Sequence, residues 1–253
     1  MCLITFAWDV HPKYKLILTA NRDEFYERPT TQAGFWAQDE NILGGQDLKA
    51  GGSWMTISRK GHFAAVTNFR DLANIRADAT SRGEIPTDFM SFSGTPEAFL
   101  QKLHAHSDDY NGFNVLLGNL NQLAHYSNYE RKLNVLKGGV YGLSNALLDT
   151  PWPKVELAKS KFTQVIKGDF DLEDLIAIMA DTQVAEENVL PDTGVTREME
   201  KALSAMCIRM ENYGTCCTTA ITVDRHGEVN FAEKSYPVGG RKDTTVRYQF
   251  KIS

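Results

Sequence analysis

Short runs of β-branched and aromatic residues, parted by turn residues, open this chain. Leu3 to Trp8 reads as a strand, Asp9-Val-His-Pro-Lys13 supplies turn chemistry, and Tyr14 to Ala20 returns as a second strand. Residues 26–52 read as irregular, punctuated by Pro29, Gly44-Gly45 and Gly51-Gly52. Ser53 to Ser58 and His62 to Asn68 predict another hairpin, turning at Arg59-Lys-Gly61. Two helices follow: Ser81-Arg-Gly-Glu84 resembles a capping box, and Thr95-Pro96-Glu97 an N-cap with proline at the first helical position. Strands are expected at 113–117, 123–127, 133–136 and 140–143. Helical spacing returns at 152–166, 171–179 and 196–210, then strands at 218–223, 229–232 and 245–250. Strands, helices, strands, helices, strands: that order predicts an α+β protein with antiparallel sheet layered against helices.

Composition narrows the class without naming a function. Of 253 residues 42% are hydrophobic and 23% charged, which is ordinary for one globular domain spanning 1–253. Acidic side chains outnumber basic ones 32 to 27, and the pI is near 5.7, so nucleic acid is not an expected partner. For the same reason, binding of an anionic ligand is not expected to rest on bulk charge attraction. No run approaches the roughly 18 apolar residues of a membrane span. The apolar start ends at Asp9 without a basic flank, unlike a secretory signal. Four cysteines are too few for a disulfide scaffold. A cytoplasmic protein is expected.

Cys2 is the residue with the most chemistry to offer. Removal of Met1 would give one residue both a thiol and an α-amine, whose reference pKa of about 7.7–8.0 lets it act as a base. The plainer alternative is a small apolar residue in the first strand. Asn21-Arg-Asp-Glu24 ends the strand expected to pair with it. There a carboxylate could orient a terminal ammonium, and an arginine could hold a carboxylate or thiolate. The alternative is a solvated strand end. Strand alternation places Asn21 with Asp23 and turns Arg22 the other way, away from Cys2. The histidines are scattered, and His104 and His106 would face apart on a helix, so no metal site is expected. Gly51-Gly-Ser-Trp54 reads as a turn beside a ligand wall or as a plain hairpin entry. Asp149-Thr-Pro-Trp-Pro-Lys154 reads as a helix start, with Thr150 capping and Trp152 packing.

The run Thr19-Ala-Asn-Arg-Asp-Glu24 with Arg28-Pro29 resembles the signature of the NRDE family, also called the transport and Golgi organisation protein 2 family. Gly44-Gly-Gln-Asp47, Ala50-Gly-Gly-Ser-Trp54, Ala65-Val-Thr-Asn68, Ser81-Arg-Gly83, Tyr141-Gly-Leu-Ser-Asn145, Leu148-Asp-Thr-Pro-Trp-Pro-Lys154 and Tyr213-Gly-Thr215 extend it. The resemblance implies an αββα sandwich of two mainly antiparallel sheets between helical layers, like that of the N-terminal-nucleophile hydrolases. It also implies intracellular handling of haem, acyl-CoA or another lipid-type ligand, with haem as cargo and passing contacts with membranes or with donor and acceptor proteins. A more distant resemblance, to the cysteine-type penicillin acylases and bile salt hydrolases, implies a nucleophile at Cys2 assisted by Arg22 and Asp23. Asn68 and Asn145 are the candidates for the two asparagines that position the oxyanion and the amine, and Asn21 is expected to share Asp23's side of the site. Those acylases space arginine and aspartate three apart, whereas Arg22 and Asp23 are adjacent. Two readings follow: a carrier of a small amphipathic ligand, with Trp36, Trp54 and Phe69 along an apolar slot, or a Cys2-dependent amidohydrolase or thioesterase.

Overall fold

The computed structural model describes residues 2–253. β1 (Cys2–Trp8) and β2 (Tyr14–Phe25) form the expected hairpin, with Ile4 opposite Ala20 and Phe6 opposite Leu18. They sit inside a six-stranded antiparallel sheet. β10 (Gly139–Leu143) flanks β1, and β11 (Tyr213–Asp224), β12 (Glu228–Ser235) and β13 (Thr244–Lys251) continue from β2. The second sheet runs in chain order: β3 (Gly34–Trp36), β4 (Asp39–Gly44), β5 (Met55–Ser58), β6 (Phe63–Asn68), β7 (Phe113–Gly118), β8 (Leu123–Ser127) and β9 (Lys132–Val135).

Alternation along the strands sorts the apolar residues into three cores, and these define four layers. Ile4, Phe6, Trp8, Leu16 and Leu18 meet Leu43, Ile57, Phe63 and Leu116 between the sheets. The opposite face of the first sheet presents Leu3, Ala7 and Ile17 to α3 (Pro153–Val165) and α4 (Leu172–Ile178) through Phe162, Leu175 and Ile178. The outer face of the second sheet packs Val66, Phe113 and Val115 against α1 (Glu84–Met90) and α2 (Pro96–Ala105) through Phe89, Phe99 and Leu103. The result is the αββα order, with each buried Phe or Leu contributing about 1.5–3 kcal/mol.

Several local expectations shift. The stretch expected to be irregular contains β3 and β4, short strands at the edge of the second sheet. Their glycines masked the pattern; Gly44 is required because a Cβ there would lie 2.5 Å from the Met55 carbonyl oxygen. Thr95 caps α2 as expected, its hydroxyl accepting from the Ala98 amide at 3.1 Å. Ser81 does not cap α1, whose N-cap is Gly83 and has no side-chain cap bond. The helix expected over 196–210 is α5 (Arg197–Leu203) only. Beyond it Ala205, Met206, Cys207 and Ile208 leave the helical path to be buried, and the Cys207 amide bonds the Asp181 carbonyl.

Candidate functional site

Antiparallel register decides which polar residues meet Cys2. Cys2 stands opposite Arg22, Arg22 opposite Cys217, and Cys217 opposite Ser235, one row across four strands. Residues directly opposite in an antiparallel ladder project from the same face. That face is the inter-sheet one, because Ile4, Phe6 and Leu18 share its parity. A cavity of about 630 Å³ opens onto this row, its lining including Cys2, Arg22, Cys217, Ser235, Asn68 and Trp54. Its size is in the ordinary range for a small-molecule site. Arg22 is therefore with Cys2, not turned away from it: alternation was right, but the parity of the register was the reverse of the one expected.

The same parity removes Asn21. It faces the helical layer, fully buried, where its Nδ2 donates to the carbonyls of Met179 (2.9 Å) and Met206 (2.8 Å). Its Oδ1 accepts from the Thr218 hydroxyl. The first two bonds tie the strand to the helical layer, the third ties it to the neighbouring strand β11, and none reaches the cavity. Asp23 shares that parity, yet a bulge between Thr215 and Cys217 in β11 falls beside it and it borders the cavity. Its carboxylate accepts from the Thr215 hydroxyl at 2.6 Å.

The two later asparagines converge beside Cys2. Asn145 follows β10, the other neighbour of β1, and its Nδ2 donates to the Asn68 carbonyl at 2.8 Å. Ser144, absent from the sequence reading though adjacent to Asn145, donates its hydroxyl to the Cys2 carbonyl at 2.9 Å. Cys2 and Asn68 line this end of the cavity; Asn145 is buried behind them, outside the lining, its Oδ1 accepting from the Ser144 hydroxyl at 3.2 Å. Burial pushes the Cys2 thiol up. Met1, whose removal would free the Cys2 α-amine, lies outside the described residues.

The expected apolar slot is not what lines this space. Trp54 does border the cavity. Trp36 instead sits in the core between the second sheet and its helices, its indole N–H donating to the Gly44 carbonyl at 2.9 Å. Phe69 stacks on Tyr129 with ring centroids 3.8 Å apart, and Phe35 packs against Tyr248 and Phe250. Sequence gives aromatic content but not which side of a strand or loop it occupies, and these rings satisfy neighbours elsewhere.

Charge is the cavity's dominant chemistry. Arg22, Arg28, Arg76, Arg82, Arg241 and Lys242 line it, against Asp23, Glu24, Asp47 and Glu233. Arg28 pairs with Asp47 at 2.7 Å, and Arg22 lies 3.6 Å from Glu24. Arg82 donates to the Gly112 carbonyl at 3.0 Å. Burial pushes the Glu233 carboxyl up. Gly52 and Gly83 join the rim loops: Gly52 has φ +76°, and a Cβ on it would lie 2.2 Å from the Gly83 carbonyl oxygen. That oxygen accepts the Ser53 amide, which ties the Ala50-Gly-Gly-Ser-Trp54 and Ser81-Arg-Gly83 motifs together.

Beside the strand end lies a second, buried set of charges. Arg70 and Glu200 pair at 2.9 Å with both side chains almost fully enclosed, and the Arg70 guanidinium covers the Trp152 ring at 4.7 Å. The Arg70 amide donates to the Asn145 carbonyl. Lys154, in the first turn of α3, is 2% exposed. Sequence reading placed Lys154 within a helix start but gave no sign of its burial, and it missed Arg70 and Glu200.

Comparison with known proteins now places the chain. The pattern of the family described as Transport and Golgi organisation 2 matches residues 1–237. The chain belongs to that family. The Transport and Golgi organization protein 2 homolog of Homo sapiens is 38% identical over 257 residues, covering 93% of both chains. The homolog of Bos taurus is 37% identical over the same share. Among solved structures, a mutant conjugated bile acid hydrolase from Clostridium perfringens is similar across 100% of this chain and 98% of its own, with 12% identity and a TM-score of 0.48. The Transport and Golgi organisation 2 match takes in every motif quoted above and both sheets except β13, while Arg241 and Lys242 of the rim lie beyond it.

Proposed function

We propose that the cavity binds a small amphipathic acyl-type ligand by its anionic end, lays its acyl group toward Cys2, and serves to carry that ligand. One observation carries this reading. In a chain of net charge -5, the cavity over Cys2 and Arg22 is lined by six basic and four acidic side chains. Partly desolvated guanidinium groups hold carboxylates and phosphates through short, directional bonds. Trp54 offers an apolar wall for a fatty chain. An acyl-CoA has both features. Haem is the other ligand of this description: its propionates would meet the same arginines, and its iron would meet the thiols of Cys2, Cys216 or Cys217, since no histidine lines the cavity among the described residues. The cytoplasm suits four cysteines that are all free thiols, and no described helix is long and apolar enough to cross a membrane.

The convergence of Asn68 and Asn145 beside Cys2 favours a second reading, Cys2-dependent hydrolysis. The Cys2 sulfur would attack the carbonyl carbon of an acyl thioester, the bond to the leaving sulfur would break, and that sulfur would take the Cys2 proton. Water would then cleave the acyl-enzyme to a carboxylic acid, restoring the thiol. Side-chain amides that donate to the developing oxyanion contribute about 2.7–4 kcal/mol each in known cases. One experiment separates the two readings. Hexadecanoyl-CoA is titrated calorimetrically into the purified protein while free thiol is assayed in parallel, with haem as a second titrant. Binding without thiol release supports the carrier. Thiol release that is lost in Cys2→Ala supports the hydrolase. Absence of binding by either titrant contradicts both.

A further inference from the structure

Polar groups close the cavity on the side where a long acyl chain would need apolar space. Below the row of Cys2, Arg22, Cys217 and Ser235, the next row on the same face is Ile4, Ala20, Thr219 and Glu233. Glu233 borders the cavity and is buried; its Oε1 accepts the Ala33 amide at 2.8 Å and its Oε2 the Thr219 hydroxyl at 3.3 Å. Ala33 immediately precedes β3, so this carboxyl joins the first sheet to the edge of the second. Ser53, also buried and bordering the cavity, donates its hydroxyl to the Gly45 carbonyl at 2.7 Å. Together they make a polar sill. Behind it the core between the sheets is packed shut: Ile4, Leu43 and Ile57 are fully buried, and among the described residues none of them borders the cavity. Val66 does border it, but its side chain packs in the core against α1 and α2, which leaves Trp54 as the large apolar side chain of the wall. The other side is open: Ala50, Arg76, Ala77 and Lys242 border the cavity and are exposed.

We infer that this cavity reads the head of its ligand and the first carbons past the acyl carbonyl, and is indifferent to the length of the remaining chain, which leaves over the open rim. The first carbons lie on Trp54 and gain from leaving water. Methylenes beyond them meet charged and hydrogen-bonding groups, and covering those groups with hydrocarbon would strip their water without replacing its bonds. A chain turned inward meets Glu233 and Ser53, whose bonds would have to break before the core could open. The ligand class is therefore coenzyme A thioesters of any acyl length, short ones included. Only the identity of the head rests on the acyl-CoA reading; the course of the chain rests on the sill.

The test compares butanoyl-CoA with octanoyl-CoA by calorimetric titration of the purified protein. Each methylene enclosed by protein strengthens binding about fourfold, so an enclosed chain would make octanoyl-CoA the tighter ligand by on the order of a hundredfold. Dissociation constants that agree within about threefold are expected. A hundredfold gain for octanoyl-CoA overturns the inference, and so does a loss of about tenfold or more, which would mean that the chain has no way out. Both of those results leave the acyl-CoA reading standing. Should neither thioester bind, that reading fails and the sill is tested without it, through alkylation of Cys2 by N-ethylmaleimide and N-hexylmaleimide. Each rate, followed by peptide mass spectrometry, is divided by the rate of the same reagent with free cysteine. Equal ratios support the sill; a ratio that climbs with alkyl length shows an apolar channel beside Cys2 and overturns the inference.

Discussion

Cys2 and Arg22 stand directly opposite one another in the register of β1 and β2, and both side chains face the space between the sheets. Everything else about the site follows from that pairing. It puts a guanidinium beside the thiol, sends Asn21 to the helical layer, and lines up Cys217 and Ser235 on the same cavity floor. Adjacent residues in one motif thus face opposite ways, Arg22 toward the cavity and Asn21 toward the helical layer.

The scaffold role of Asn21 predicts a stability effect without a binding effect. Asn21→Ala leaves the Met179 and Met206 carbonyls without their donor inside the protein. Unsatisfied buried groups cost about 1–3 kcal/mol each, so a loss of roughly 2–5 kcal/mol is expected by urea denaturation. The folded fraction should keep its ligand affinity. An affinity loss with unchanged stability would return Asn21 to the site.

The buried pair of Arg70 and Glu200 should behave unlike an exposed ion pair. Glu200→Ala strands a buried guanidinium and should lower stability by about 3–5 kcal/mol. Replacing both residues by apolar ones, Arg70→Met with Glu200→Leu, should recover most of that loss. Thermal denaturation of the single and double variants checks it.

Alkaline titration should reveal Lys154. Burial depresses its folded pKa from 10.5 to about 8, so between those values the unfolded chain binds more protons than the folded one. Stability contributed through this group therefore rises with pH across that window, and its penalty is fully present below pH 8. The difference in unfolding free energy, wild type minus Lys154→Met, should increase from pH 8 to 10.5. The expected rise is of the order of 3 kcal/mol. A flat difference would show that Lys154 titrates alike in both states.

Much of this architecture was legible in the order of the residues. The β1–β2 hairpin, the hairpin into β6, strands β7 to β10 and the last three strands all follow from apolar runs between turn residues. Register parity was not legible, because a shift of one residue exchanges the two faces of a strand. That alone reversed the placing of Arg22 and Asn21. Trp36 and Phe69 failed as ligand walls for a related reason: composition counts rings, and tertiary packing aims them. Residues 205–208 were expected to continue α5, but burial and the bond between Asn21 and the Met206 carbonyl outweigh helical spacing. Net acidity likewise hid a cationic cavity, since total charge says nothing about its distribution.

That local charge predicts a salt dependence of anionic-ligand binding that the net charge alone does not. Arg82 lines the cavity and donates to a backbone carbonyl, leaving guanidinium N–H groups for a ligand. Arg82→Ala should weaken hexadecanoyl-CoA binding about tenfold, near 1.4 kcal/mol. It should also flatten the decline of affinity between low and high salt. Calorimetric titrations of both proteins at two ionic strengths check it; affinity independent of both salt and Arg82 would remove the arginines from recognition.

Protection of Cys2 tests the central claim most directly. The protein is treated with a thiol alkylating agent, with and without hexadecanoyl-CoA, and labelling of each cysteine is followed by peptide mass spectrometry. If the ligand lies over Cys2 and Arg22, a concentration about ten times its Kd should slow labelling of Cys2 about tenfold. Cys207, buried and absent from the cavity lining, should be unaffected. Equal labelling of Cys2 with the ligand bound and with it absent would contradict the assignment of this cavity as the binding site.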